Sequence, residues 1–197
     1  MIFRLGLTGS IGSGKTTTAG LFREFGVPVH DADASVHALY RAEAAAPIEA
    51  VFPGTVVDGV VDRKRLTEAL AGRKERFKLL ESIVHPLVRS VEEQAIAKAE
   101  RSGHRMIVLD IPLLFESGAD KRCDAVFVTH IDAGEQKRRV LARPGMNEAL
   151  FHAILARQIP DREKCRRAHA ILDTGNGLAA ARSEVAALLR ALAPRLN

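Results

Sequence analysis

Apolar runs alternate with helically spaced segments along this chain. IFRLGLT over 2–8 is a short apolar run that predicts a strand, and KTTTAGLFREFG over 15–26 has helical spacing stopped by Gly26. VPVHDAD over 27–33 predicts a second strand. RMIVLDIPLLF over 105–115 holds a continuous apolar run that meets an acid, the pattern of a strand buried on both faces. AVFVTHI over 125–131 and HAILDTG over 169–175 predict two more strands. Helical patterns occupy 35–45, 63–71, 74–101, 133–142, 147–158 and 178–193. Strands alternating with helices predict the α/β class, a parallel sheet covered by helices on both faces.

Two stretches depart from that alternation. Residues 35–101 show no core strand and predict a helical insertion, in which Pro86 should kink or break the helix at Val84–His85. The patterns at 133–142 and 147–158 predict a helical pair, joined by the Pro-Gly turn of RPGMN over 143–147.

Composition narrows the picture. With 197 residues, 47% hydrophobic and 27% charged, the chain fits a single globular domain with inserted subdomains. No run is long enough to span a membrane, and the start lacks a signal-peptide pattern, so a cytoplasmic protein with no membrane partner is expected. Two cysteines without a CxxC spacing suggest unpaired thiols in a reducing compartment. The net charge of +5 is concentrated at Lys137, Arg138, Arg139, Arg143, Arg157, Arg162, Lys164, Arg166 and Arg167. With one Tyr and no Trp, that stretch lacks the aromatics that stack bases, so no nucleic-acid partner is expected. It reads either as a solvated face or as a site for phosphates.

The chemistry concentrates near the N-terminus. Gly9-Ser10-Ile11-Gly12-Ser13-Gly14-Lys15-Thr16 fits G-x-x-x-x-G-K-[ST], with a predicted strand before it and a predicted helix after it. Backbone N–H groups can wrap a polyphosphate only where no Cβ obstructs them, which explains the glycines. The helix N-terminus, including Thr17, adds unpaired donors. Lys15 can reach the outer phosphates of ATP, and the Thr16 hydroxyl can ligate Mg²⁺. Asp31 and Asp33 follow the second strand; as residues i and i+2 of an extended segment, both carboxylates could face one pocket and one could accept a proton from an attacking hydroxyl. Either could instead cap the helix near Ser35. Asp110 ends its strand where an acid can hold Mg²⁺ through water, or cap the next turn. Leu113, Leu114 and Phe115 leave the sheet either as a face for a large, partly apolar ligand or as core. Arg139 and Arg143, four apart, share a helix face and could close over a transferring phosphoryl group. His85, before Pro86, is the one histidine of interest.

Taken in order, LTGSIGSGKTT (7–17), DAD (31–33), GVVDRKRL (59–66), LLESIVHPLV (79–88), DIPLLFE (110–116) and QKRRVLARPG (136–145) with Gln158 resemble the dephospho-coenzyme A kinase family. The resemblance implies a P-loop NTPase core (1–33, 102–131 and 161–197), a helical coenzyme A-binding domain (34–101) and a helical lid (132–160). It implies an ATP-dependent phosphotransferase with an alcohol acceptor, phosphorylating the ribose 3′-hydroxyl of dephospho-coenzyme A to give coenzyme A and ADP. In that family Asp33 would be the catalytic base, Arg139 and Arg143 lid arginines, and His85 part of the acceptor segment, with Asp31 and Leu113 also near substrate. This chain departs from the family pattern at Pro144, where Asp is frequent, at His169, where Asp is usual, and near Thr174, where Asn is common. A kinase for another nucleotide or nucleoside is the nearest alternative. A GTPase switch would need an Asn-Lys-x-Asp guanine motif and a D-x-x-G segment, neither of which the chain has.

Overall fold

The computed structural model describes residues 1–196. In chain order the elements are β1 (Phe3–Gly9), α1 (Lys15–Glu24), β2 (Val29–Asp31), α2 (Ala32–Leu39), α3 (Ala45–Val51), β3 (Val56–Val57), β4 (Val60–Val61), α4 (Arg63–Leu70) and α5 (Lys74–Arg101). Then follow β5 (Met106–Asp110), β6 (Ala125–His130), α6 (Ala133–Leu141), α7 (Glu148–Leu155), α8 (Asp161–Arg167), β7 (Ala170–Asp173) and α9 (Gly177–Leu192). The chain divides into two compact units, Met1–His30 with the chain from Lys98 onwards, and Asp31–Ala97.

The first unit is built on the sheet, whose strand order is β2-β5-β1-β6-β7. The central strand β1 pairs in parallel with β5, where Leu5 lies opposite Val108, and with β6, where Gly9 lies opposite Thr129. A strand enclosed this way has no polar face to offer water, which is why Leu5, Leu7, Val108 and Val128 are all fully buried. Phe22 and Leu21 of α1 and Val185 of α9 complete the cluster with Phe127 and Leu172. Each such side chain contributes on the order of 2 kcal/mol by leaving water.

The second unit has its own core, in which Leu39, Ile48, Phe52, Val61, Leu66, Leu70 and Val84 pack together. The expected absence of a core strand holds here. The only pairing within 35–101 among the described residues is the two-residue β3–β4 ladder, turned by Asp58 (φ 50°) and Gly59 (φ 78°), the Asp-Gly pair that a tight hairpin favours.

Several sequence expectations are corrected. The helix expected over 35–45 is two helices, α2 and α3, and α2 starts at Ala32, inside the stretch expected to be strand. Helix α5 runs for 28 residues with Pro86 inside it, so of the kink or break expected at Val84–His85 the break does not occur. Proline removes one backbone bond and crowds the carbonyl four residues back. Leu80, Ile83 and Val84 before it, and Leu87, Val88 and Val91 after it, all pack on the same core and hold the helix across it.

Candidate active site

The loop after β1 is shaped by backbone conformation first. Gly14, at the N-cap of α1, has φ 84° and ψ 11°, the left-handed region that costs other residues about 1–2 kcal/mol. No side chain caps α1 and its first turn carries no acid, whereas Asp31, Asp62, Asp132 and Asn147 cap α2, α4, α6 and α7. The open N–H groups and the positive end of the helix dipole are thus left to an anion. Thr16 and Thr17 are exposed on that first turn. Gly9 serves packing instead, since a Cβ there would collide with the Thr129 and Ser13 hydroxyls.

The loop is held from several directions. The Ile11 peptide is gripped at both ends: Gln136 Nε2 on α6 donates to its carbonyl at 2.7 Å, and its N–H donates to Gln158 Oε1 at 3.1 Å. Ser10 Oγ donates to Asp161 Oδ1 at 3.0 Å. Ser13 Oγ and Thr129 Oγ1 lie 2.6 Å apart, and the Thr174 hydroxyl donates to the Ser13 carbonyl at 2.8 Å. Three loop residues, Ser10, Ile11 and Ser13, are therefore fixed by side chains from β6, α6, α8 and the segments beside them. Such anchoring limits reorganisation when charge arrives.

Lys15 and Asp110 are brought together: the ammonium donates to Asp110 Oδ1, and the carboxylate is 2% exposed at the end of β5. Arg139 donates to Glu135 Oε1 at 2.8 Å and to the Thr174 carbonyl at 3.1 Å, one residue removed from the loop. The guanidinium of Arg138, and next that of Arg139, hold the Glu135 carboxyl below its ordinary value. Arg143 is exposed and lies beyond the end of α6, so it does not share a regular helix face with Arg139 as the spacing suggested. At the carboxyl ends of β6 and β7, where ligands of open α/β sheets sit, a cavity of about 500 Å³ is lined by His130, Ile131, Asp132, Glu135, Asp173, Gly175 and Asn176.

Three sequence expectations change in detail. Asp31 and Asp33 do not share an extended segment. Asp31 is the N-cap of α2, accepting from the Ala34 N–H at 2.9 Å, and Asp33 is exposed in the helix's first turn. Of DIPLLFE, only Leu113 is exposed; Leu114 lies over Gly6 and Phe115 under the Arg167 guanidinium, both in the core. Much of the basic stretch is paired with acids, through Lys137–Glu148, Arg138–Glu135, Lys164–Glu116, Arg166–Glu163 and Arg167–Asp120. His85 is exposed on α5 in the second unit. As loop anchors, Gln136, Asp161, Thr129 and Thr174 carry no signal in the sequence. Gln136 lies in the QKRRVLARPG segment, Thr129 and Thr174 lie in predicted strands, and a lone Thr or Asp gives no local sign of a partner more than 100 residues away.

The family model described as dephospho-CoA kinase matches residues 3–180. The dephospho-CoA kinase of Mesorhizobium japonicum is 56% identical over 185 residues, 94% of each chain. A crystal structure from Thermus thermophilus is 35% identical with a TM-score of 0.86, covering 97% of this chain and 98% of that one. The dephospho-CoA kinase of Campylobacter jejuni, 24% identical over 96% of each chain with a TM-score of 0.65, shares the fold. With that match, that identity and an anchored phosphate loop, the chain belongs to the dephospho-CoA kinase family.

Proposed function

We propose that this protein transfers the γ-phosphoryl group of ATP to the ribose 3′-hydroxyl of dephospho-coenzyme A, giving coenzyme A and ADP. The observation that carries the acceptor's identity is the family match across residues 3–180, which includes both compact units. The nucleotide part rests on the loop: Gly9 to Thr17 offers backbone donors, an uncapped helix N-terminus and Lys15.

In this reading the triphosphate docks on Gly9–Thr17, and Lys15 exchanges its bond to Asp110 for phosphate oxygens. A hydroxyl at Thr16 and a buried carboxylate at Asp110 are hard oxygen donors, the set that suits Mg²⁺, and these two residues would hold it. Mg²⁺ held by these residues would neutralise charge on the phosphates. Asp33 accepts the proton of the 3′-hydroxyl as the oxygen attacks. With Asp31 engaged as the helix cap, the exposed Asp33 is the member of the pair available for that task. Arg139 and Arg143, in a lid spanning 132–160, stabilise the charge that develops on the transferred group. The helical domain (34–101), with Asp31, His85 and Leu113, belongs to the acceptor, and the cavity at the ends of β6 and β7 belongs to the nucleoside end of ATP. The enzyme works in the cytoplasm, without nucleic acid.

The test is a screen of acceptors with ATP, read as ADP release. Dephospho-coenzyme A should be preferred strongly over nucleosides and nucleoside monophosphates. Equal or greater rates with a nucleoside monophosphate would overturn the reading.

A further inference from the structure

Beside the phosphate loop lie His130 at the end of β6, which also lines the cavity assigned to the nucleoside end of ATP, and Asp161 and Cys165 on α8. Asp161 and Cys165 are one helical turn apart, so both face β6. His130 Nδ1 is 2.5 Å from Asp161 Oδ2, Cys165 Sγ is 3.8 Å from the same nitrogen, and Sγ is 3.7 Å from the same oxygen. All three residues are half-buried.

We propose that His130, Asp161 and Cys165 form a binding site for a borderline-soft divalent cation of the Zn²⁺ class, with a fourth position open to water. Tetrahedral coordination at about 2.0–2.3 Å places neighbouring ligand atoms roughly 3.3–3.6 Å apart. The two separations that involve sulfur are already within a few tenths of an ångström of that. Only the nitrogen–oxygen pair must open, by roughly 0.8 Å, as the ion takes the place of the proton between them. The thiol gives up its proton to solvent, and the imidazole carries its remaining proton on Nε2. Imidazole with thiolate selects Zn²⁺ or Co²⁺ over Mg²⁺, so the site is chemically separate from the all-oxygen set at Thr16 and Asp110. Asp161 uses Oδ2 here and keeps Oδ1 for the Ser10 hydroxyl. A bound ion therefore cross-links the end of β6 to the first turn of α8 and restrains the phosphate loop through Ser10.

The test is a Co²⁺ titration of the reduced, full-length protein with Mg²⁺ in excess. One equivalent should produce a thiolate-to-Co²⁺ charge-transfer band and intense tetrahedral visible bands, and Zn²⁺ should displace both. Cys165→Ser should abolish the charge-transfer band and weaken Co²⁺ binding at least tenfold while kinase turnover without added Zn²⁺ is retained, which shows that the variant is folded. Cys123→Ser should leave the spectrum unchanged. Zn²⁺ should raise the melting temperature of the unsubstituted protein and not that of Cys165→Ser. A spectrum with no thiolate band, or one lost in Cys123→Ser and kept in Cys165→Ser, would overturn the proposal.

Discussion

A methyl group at position 14 would sit 3.0 Å from Thr174 Cγ2, on a residue whose φ is 84°. Gly14→Ala should therefore cost about 1–2 kcal/mol, lowering the melting temperature by several degrees in a chain of this size, and should weaken ATP binding at least tenfold. Calorimetric titration with the nucleotide reads the second effect, and unchanged affinity would show that the left-handed turn is dispensable. Thr174 offers a gentler probe. Its hydroxyl donates to the Ser13 carbonyl, and its own carbonyl holds Arg139. Thr174→Val removes the bond to Ser13 together with the hydroxyl's contacts to the His130 carbonyl at 3.2 Å and from Arg139 Nη1 at 3.5 Å, and keeps the bond from Arg139 to the Thr174 carbonyl, for an expected loss of about 1–2 kcal/mol in thermal unfolding. Glu135 provides a pH test. Hydrogen bonds from Arg138 and Arg139 lower its pKa from 4.5, so its contribution to stability is complete above that ordinary value and is lost as pH falls through the lowered one. The melting-temperature gap between the unsubstituted protein and Glu135→Gln should be open at neutral pH and close in acid; a gap that widens in acid would contradict the sign. One departure from the family pattern has a local explanation. His169 Nδ1 accepts from the Val126 N–H at 3.1 Å while the His169 backbone N–H donates to the Val126 carbonyl, so the imidazole supplies a side-chain acceptor at the start of β7.

At the scale of elements, α8 is fastened by a buried pair. Lys164, fully buried, reaches Glu116 Oε1 at 3.2 Å, and the same oxygen accepts from the Ile159 N–H at 2.9 Å. Removing one member leaves the other charge buried and alone, so Glu116→Leu should cost about 3–5 kcal/mol, and the double change with Lys164→Met should cost markedly less. Denaturant unfolding of both variants decides it, and a double variant no more stable than Glu116→Leu would contradict the account of the pair. Helix α5 tests the opposite expectation. Because it continues through Pro86 with apolar neighbours packed on both sides, Pro86→Ala should restore a backbone bond and stabilise by about 1–2 kcal/mol after the gain in unfolded-chain freedom. The elements legible in sequence are those with a strong period or a buried run: β1, β5, β6, β7, α1, α4, α5, α6, α7 and α9. What escaped was decided by tertiary packing or by a single cap. Pro86 carries a local cost that the core packed around it outweighs. The start of α2 was misplaced because Asp31, rather than a residue nearer Ser35, accepts from the helix N-terminus.

For the molecule as a whole, the parallel α/β class follows from patterns spread along the sequence and the phosphate loop from one local motif, whereas the strand order and the loop's anchors do not. Gln136, Gln158, Asp161 and Thr174 lie 125 to 161 positions from their loop partners, and only the folded chain shows what they hold. The proposed function joins two observations at this scale: a glycine-rich loop before an uncapped helix N-terminus in the sheet unit, and an exposed acid, Asp33, in the first turn of the helical unit. Their assigned roles separate experimentally, because an acid that only accepts the hydroxyl proton should leave nucleotide binding untouched. The decisive measurement is the turnover of Asp33→Asn with ATP and dephospho-coenzyme A, alongside its affinity for ATP. The account predicts a fall in kcat of roughly 10²–10⁴-fold with ATP affinity within about twofold of the unsubstituted protein. Turnover that survives the substitution would contradict it.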